Sequence, residues 1–252
     1  MRALRFAASG LALFASITSA QAPESHTVLG DKEYVAMNAP AALAHYEAAV
    51  TAEPKSYEAL WKASRTAVDV GSYETNAEKR GLLYRNAELY ARRAVEANPG
   101  DAEGHFHLAR ALGRNALTQG TRARIRYATD VRAHALECLK TAPKHAGCLH
   151  VMGVWNAEVM RLNGFSRMLA KNLLGGKVFG SASWADAQRY MEESVAAEPD
   201  RIVHHVDLAE IYKDVGDKAK ARTAFETVIR LPVTDYNDRH YKAQADKGLR
   251  SL

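Results

Sequence analysis

The chain has 252 residues, enough to bury a sizeable core as one continuous unit. Helix formers (Ala, Leu, Glu, Lys, Arg) dominate and no segment alternates apolar with polar residues, which sets strand-based folds aside. The net charge of +5 is too mild to argue for nucleic acid, which is not among the expected partners.

The first twenty residues carry a targeting pattern of bacterial type. Arg2 and Arg5 form a basic start, Phe6 to Ile17 is apolar, and Thr18-Ser19-Ala20 offers a small-x-small cleavage site. Residues 1–20 therefore read as a cleaved signal peptide, and the mature chain is expected in the periplasm. The apolar stretch is short for a membrane span, so an uncleaved anchor is the minority alternative. Removal of Arg2 and Arg5 would lower the net charge to +3. A flexible segment is expected over 21–30, and a single helical repeat domain over 31–252.

From residue 31 onward a spaced ladder recurs, each rung set closing on a proline. Twelve, eight and five residues before Pro54 stand Ala42, Tyr46 and Ala49. The same offsets give Ala87, Ala91 and Ala94 before Pro99, Val131, Ala135 and Cys138 before Pro143, and Ala187, Met191 and Ser194 before Pro199. A fifth set, slipped by one, is Ala221, Phe225 and Val228 before Pro232. Spacings of four and three place these residues on one stripe of a helix, and proline marks its exit.

A second stripe follows each of the first four prolines. It comprises Leu60, Ala63, Ser64 and Ala67; His105, Leu108, Ala109 and Leu112; Leu149, Met152, Gly153 and Asn156; and His205, Leu208, Ala209 and Tyr212. Each unit is therefore a helix pair. The units stack into an all-α solenoid of antiparallel pairs, since one pair is too small to fold alone. An unrelated helical bundle would explain the periodicity but not five recurrences of one offset set. Proline gaps of 45, 44, 56 and 33 residues place insertions near 68–78, 113–127 and 157–180. A capping helix is expected near 236–250, with Tyr241, Ala245 and Leu249 on one face.

These rungs resemble the tetratricopeptide repeat, most clearly over 200–232, where Gly216-Asp217 forms the turn between helices. Residues 149–232 further resemble the regulator of microtubule dynamics family. The run Leu149-His150-Val151-Met152-Gly153-Val154-Trp155 matches its Gly-x-Trp helix. A long excursion follows, with the step Leu173-Leu174-Gly175, and then an Ala-rich repeat ending in Pro199. The resemblance implies protein association, including with microtubules or at organelle membranes. An exported chain does not meet microtubules, so only the architecture is carried over.

In stacked pairs the opening helices line the concave side. The groove candidates are Trp61, Lys62, Arg65, Phe106, His107, Arg110, His150, Val154 and Glu158, followed by Val206, Asp207, Glu210 and Lys213. Aromatic and Arg side chains are common interface anchors, and a protein or peptide segment is the expected occupant. Trp61 and Phe106 are equally well read as packing between neighbouring helices. Arg114, Arg122, Arg124 and Arg126 form a candidate anion site, for which a solvated helix face is the preferred alternative. The third insertion carries Phe165, Met168, Leu169, Leu173 and Leu174, flanked by Arg161, Arg167, Lys171 and Lys177. It is read as a cover over its own repeat, with a membrane-surface or lipid-binding helix as the alternative.

Cys138 and Cys148 are either a disulfide, which export permits, or two buried small residues. No metal-site spacing, phosphate loop, dinucleotide fingerprint or hydrolase motif is present. His105 and His205 occupy packing positions, and His107 and His150 lack an evident carboxylate partner. No cofactor, metal or catalytic residue is assigned, and the expected function is non-catalytic.

Overall fold

A computed structural model describes residues 24–162 and 178–252, apart from the side chains of Thr121 and Arg122. Residues 1–20, expected as a signal peptide, the first residues of the 21–30 segment, and the apolar residues Phe165, Met168, Leu169, Leu173 and Leu174 with Arg167, Lys171 and Lys177 lie outside the described residues. Within them the chain forms eleven α-helices and one short 3-10 turn, with no strand. Five antiparallel pairs are α1 (His26–Val35) with α2 (Ala39–Ala52), α3 (Tyr57–Gly71) with α4 (Ala77–Ala97), α5 (Ala102–Ala116) with α6 (Thr121–Thr141), α7 (Ala146–Arg161) with α8 (Trp184–Ala197), and α9 (Ile202–Asp214) with α10 (Lys218–Arg230). A last helix, α11 (Asp238–Arg250), packs on the final pair.

The first pair is complete. Residues 26–30, expected as flexible, are the opening turns of α1, whose Ser25 hydroxyl accepts from Val28 N. Capping fixes the later starts as well. Ser56, Asn76, Asp101 and Ser183 each place a side-chain oxygen on a free backbone N–H of the first turn. The expected turn at Gly216 is present, and its φ of +83° explains the glycine.

All fifteen rungs of the ladder are buried, most with no exposed surface. Two rungs that are not simple packers are each bonded. Ser194 Oγ donates to the Ala146 carbonyl across the helix pair (2.9 Å), and Cys138 is disulfide-linked to Cys148. Gly153 explains the tight point of the second stripe. A Cβ there would stand 3.2 Å from the Met191 backbone nitrogen, so α7 and α8 approach to within backbone contact. His105 and His205, at the same offset after a proline, place Nε2 on the carbonyls of Pro99 (3.0 Å) and Pro199 (2.7 Å), tying each turn to its helix.

The first two insertions are largely helical. α4 and α6 are each 21 residues long where α2 and α8 are 14, so the extra residues extend the closing helices by about two turns. No helix among the described residues is long and apolar enough to cross a membrane.

Candidate binding groove

The opening helices α3, α5, α7 and α9 present a continuous ribbon of rings and cations. The Arg65 guanidinium lies over Tyr34 of α1 (3.6 Å) and Trp61 (5.2 Å). Trp61 stacks on His107 of α5 (5.2 Å), and Phe106 lies against His107 (4.6 Å) and His145 at the start of α7 (4.9 Å). Phe106 also fills the space above Gly147, where a Cβ would fall 2.4 Å from its ring. Trp61 and Phe106 therefore pack between neighbouring helices, and both remain only half-buried.

Three groove candidates are spent on internal charges. The Lys62 side chain is 10% exposed, with Nζ 2.7 Å from Asp31 and 2.5 Å from Glu58. His107 is 3% exposed and meets Glu103 through Nε2 (3.3 Å). Burial pushes its pKa down to about 4 against the opposing pull of Glu103. Arg110 pairs with Asp69, a carboxylate only 2% exposed, at 2.6 Å. The expectation that Lys62 and His107 face an open groove is thus corrected. Helical periodicity placed them on the concave stripe but gave no view of α1, whose Asp31 draws Lys62 inward. Val206, expected beside them, is fully buried core.

The far end of the chain also covers part of the concave side. The Tyr34 hydroxyl contacts Asp69 (3.1 Å) and Asp235 (3.4 Å), and Arg201 at the start of α9 pairs with Asp235 (3.0 Å). Asn237 donates to the Asp69 carbonyl (3.3 Å), and Tyr73 stacks on His240 with 3.6 Å between centroids. Asp238 fixes the approach by accepting from Thr234 N and Asp235 N. The first and last repeats therefore meet around a polar hub of Tyr34, Asp69, Arg110, Arg201 and Asp235. Sequence reasoning named only Arg110 of these, since the partners lie up to 201 residues apart.

Past the hub, His150 bridges α7 and α9. Its Nε2 is 3.1 Å from Asp207, and its Nδ1 is 2.9 Å from Nδ1 of His204, which in turn faces Glu198. Burial acts to raise the Asp207 carboxyl, but the His150 hydrogen bond together with the charges of His150, Arg114 and Arg161 outweighs it and brings the carboxyl below its ordinary value. Glu158 is exposed and pairs with Arg161, which also reaches Asp214. Glu103, held by His107 and His145, sits well below the usual carboxylate range.

The arginines expected as one cluster are not one site. Arg124 bonds the carbonyls of Leu117 and Gln119, Arg126 is exposed beside Tyr127, and the Arg122 side chain lies outside the described residues. Arg114 belongs to the groove instead. It is half-buried, acts electrostatically on Tyr73, Tyr241 and Asp207, and its side chain makes no hydrogen bond or ion pair among the described residues. A ligand carboxylate would find there a cation with no side-chain hydrogen bond to displace among the described residues.

The family model for regulator of microtubule dynamics protein 1-3 matches residues 28–252. Regulator of microtubule dynamics protein 1 of Bos taurus is 26% identical over 203 residues, covering 79% of this chain and 63% of that protein. Its counterpart in Pongo abelii is 28% identical over 148 residues, covering 58% of this chain and 46% of that protein. The chain thus spans about half to two thirds of these relatives' length. The crystal structure of a thermophilic TPR protein in Thermus thermophilus has a TM-score of 0.64 at 20% identity, covering 88% of this chain and 97% of that one. That likeness is one of fold.

Proposed function

The chain belongs to the regulator of microtubule dynamics family, and we propose that it is a non-catalytic scaffold that holds an acidic protein segment on its concave side. The observation that carries this reading is Arg114, a half-buried guanidinium that makes no side-chain hydrogen bond or ion pair among the described residues and whose charge acts on Tyr73 and Asp207. The half-buried rings of Trp61 and Phe106, both packed on His107, add aromatic surface on α3 and α5. Cation and aromatic together suit a carboxylate-bearing peptide. The scaffold is proposed to work after export, and the Cys138–Cys148 bridge supports an oxidising compartment.

A photo-crosslinking residue at position 114, with crosslinked peptides identified in the native host, tests the reading. Crosslinks to an acidic segment of another protein, lost in Arg114→Glu, are expected. Crosslinks confined to this chain, or an unchanged set in Arg114→Glu, would overturn it.

A second reading rests on a different face. Leu82, Leu89 and Leu117 are 52%, 54% and 56% exposed, and Arg85 lies between the two leucines of α4. That combination fits an anionic lipid surface. Salt-sensitive co-sedimentation with anionic vesicles, lost in Leu82→Ser/Leu89→Ser, is its expected outcome.

A further inference from the structure

The turn joining α6 to α7 brings together Cys138, His145 and Cys148, whose sulfur and ring-nitrogen atoms all lie within 4.8 Å of one another. Two features make this more than a disulfide with a neighbour. The cysteine Cα atoms are 6.4 Å apart, near the long end of the range a bridge tolerates, about 4.4–6.8 Å. Two thiolates on that frame can each stand about 2.3 Å from one shared ion without the helices closing further. His145, in turn, is oriented as metal-binding imidazoles are, with a carboxylate on the far ring nitrogen. Its Nε2 is 3.1 Å from Glu103, while Nδ1 faces the cysteines and accepts from Cys148 N at 3.1 Å. Glu103 is itself fixed from the other side by His107.

We infer that, once the bridge is reduced, Cys138, His145 and Cys148 bind one thiophilic d10 cation, Zn2+ or Cu+, so that disulfide and metal are mutually exclusive occupants of this turn. Both sulfurs are fully buried, and thiolates there need a cation to offset their charge. The ion takes the Nδ1 lone pair that caps α7, and that single hydrogen bond is a small loss beside two metal–thiolate bonds. His145 is 16% exposed and marks the side from which the ion enters and on which a fourth ligand, water or exogenous, completes the tetrahedron. The chemistry balances with a phosphine as reductant. Its lone pair supplies two electrons to the S–S bond, water supplies the oxygen of the phosphine oxide and the two protons, and two thiols result. Binding of Zn2+ then releases those two protons.

The full-length protein, reduced with a water-soluble phosphine and desalted, is titrated with Zn2+ against a chromophoric chelator and separately with Co2+. One equivalent of Zn2+ and a thiolate-to-cobalt charge-transfer band are expected for the reduced protein, and neither for the oxidised one. His145→Asn, which retains a helix-capping side chain, is expected to weaken Zn2+ binding at least tenfold, as is Cys138→Ser. The oxidised wild type serves as the folded control should a variant misfold. Equal Zn2+ uptake by reduced and oxidised protein, absence of the cobalt band, or full affinity in His145→Asn would each overturn the assignment.

Discussion

Arg110 and Arg114 stand one turn apart on α5, and their substitution is expected to have very different consequences. Arg110 neutralises Asp69, whose side chain is 2% exposed, so Arg110→Ala leaves a buried carboxylate without its cation and should destabilise the fold by about 3–5 kcal/mol. Arg114 makes no side-chain hydrogen bond or ion pair among the described residues, and Arg114→Ala should change stability by no more than about 1 kcal/mol. Urea unfolding of the two variants measures both. Only the second substitution is therefore a clean probe of binding. The histidines set the pH response. His107 and His204 are held neutral by burial, each with a folded pKa of about 4 against an ordinary 6.5. A depressed folded pKa means stability that is full above pH 6.5 and is lost as pH falls toward 4. The loss per group is about 1.4 kcal/mol per pH unit across that window. Glu103, also depressed, extends the loss below pH 4.5 through its bonds to His107 and His145. The melting temperature should therefore fall steadily from pH 7 to pH 4, and His107→Gln should flatten the upper part of that decline. A flat profile for the wild type would contradict the burial of these rings.

At the scale of the element, close approach between helices is the controlling quantity. Gly153 lets α7 reach the backbone of α8, and Gly153→Ala would set a Cβ 3.2 Å from the Met191 nitrogen, an atom that cannot swing away. A loss of about 1–3 kcal/mol, read from thermal or urea unfolding, is the expected result, because backbone must shift to relieve the overlap. An unchanged midpoint would mean that the two helices sit further apart than this packing requires. Such packing was legible in the sequence. Ala91, Phe225 and the other rungs recur at fixed offsets because each must meet the same neighbour in the same way, and a local period records that need. The lengths of α4 and α6 were not legible. Extra turns continue an existing helix without any new signal, so residues counted as insertions were absorbed into helix. The cation site at the α6–α7 turn was hidden for a related reason. Cys138, His145 and Cys148 lie on two helices, and only the chain reversal between them brings their ligand atoms together.

At the scale of the whole molecule the array departs from a plain solenoid, in which each repeat touches only its neighbours and stability is a sum of local terms. Here the segment around Asp235 to His240 lies against α1, α3 and the residues that follow α3, so the two ends are coupled directly. Nothing in the repeat pattern announced this. Asp31, Tyr34, Arg201 and Asp235 occupy no recurring offset, and contacts so distant in sequence leave no local trace. This contact also changes what the groove offers, since Lys62, His107 and Arg110 are paired with carboxylates within the fold while the Arg114 side chain makes no ion pair among the described residues. The coupling is measurable. Tyr73 and His240 stack at 3.6 Å between opposite ends of the chain. A double-mutant cycle of Tyr73→Ala with His240→Ala should return an interaction of about 0.5–1.5 kcal/mol, the range found for stacked rings. In an open array the same pair would be additive to within about 0.3–0.5 kcal/mol. Fluorescent probes placed on α2 and on α10 should likewise report one shared unfolding midpoint, and separate midpoints together with an additive cycle would show that the ends of the array come apart in solution.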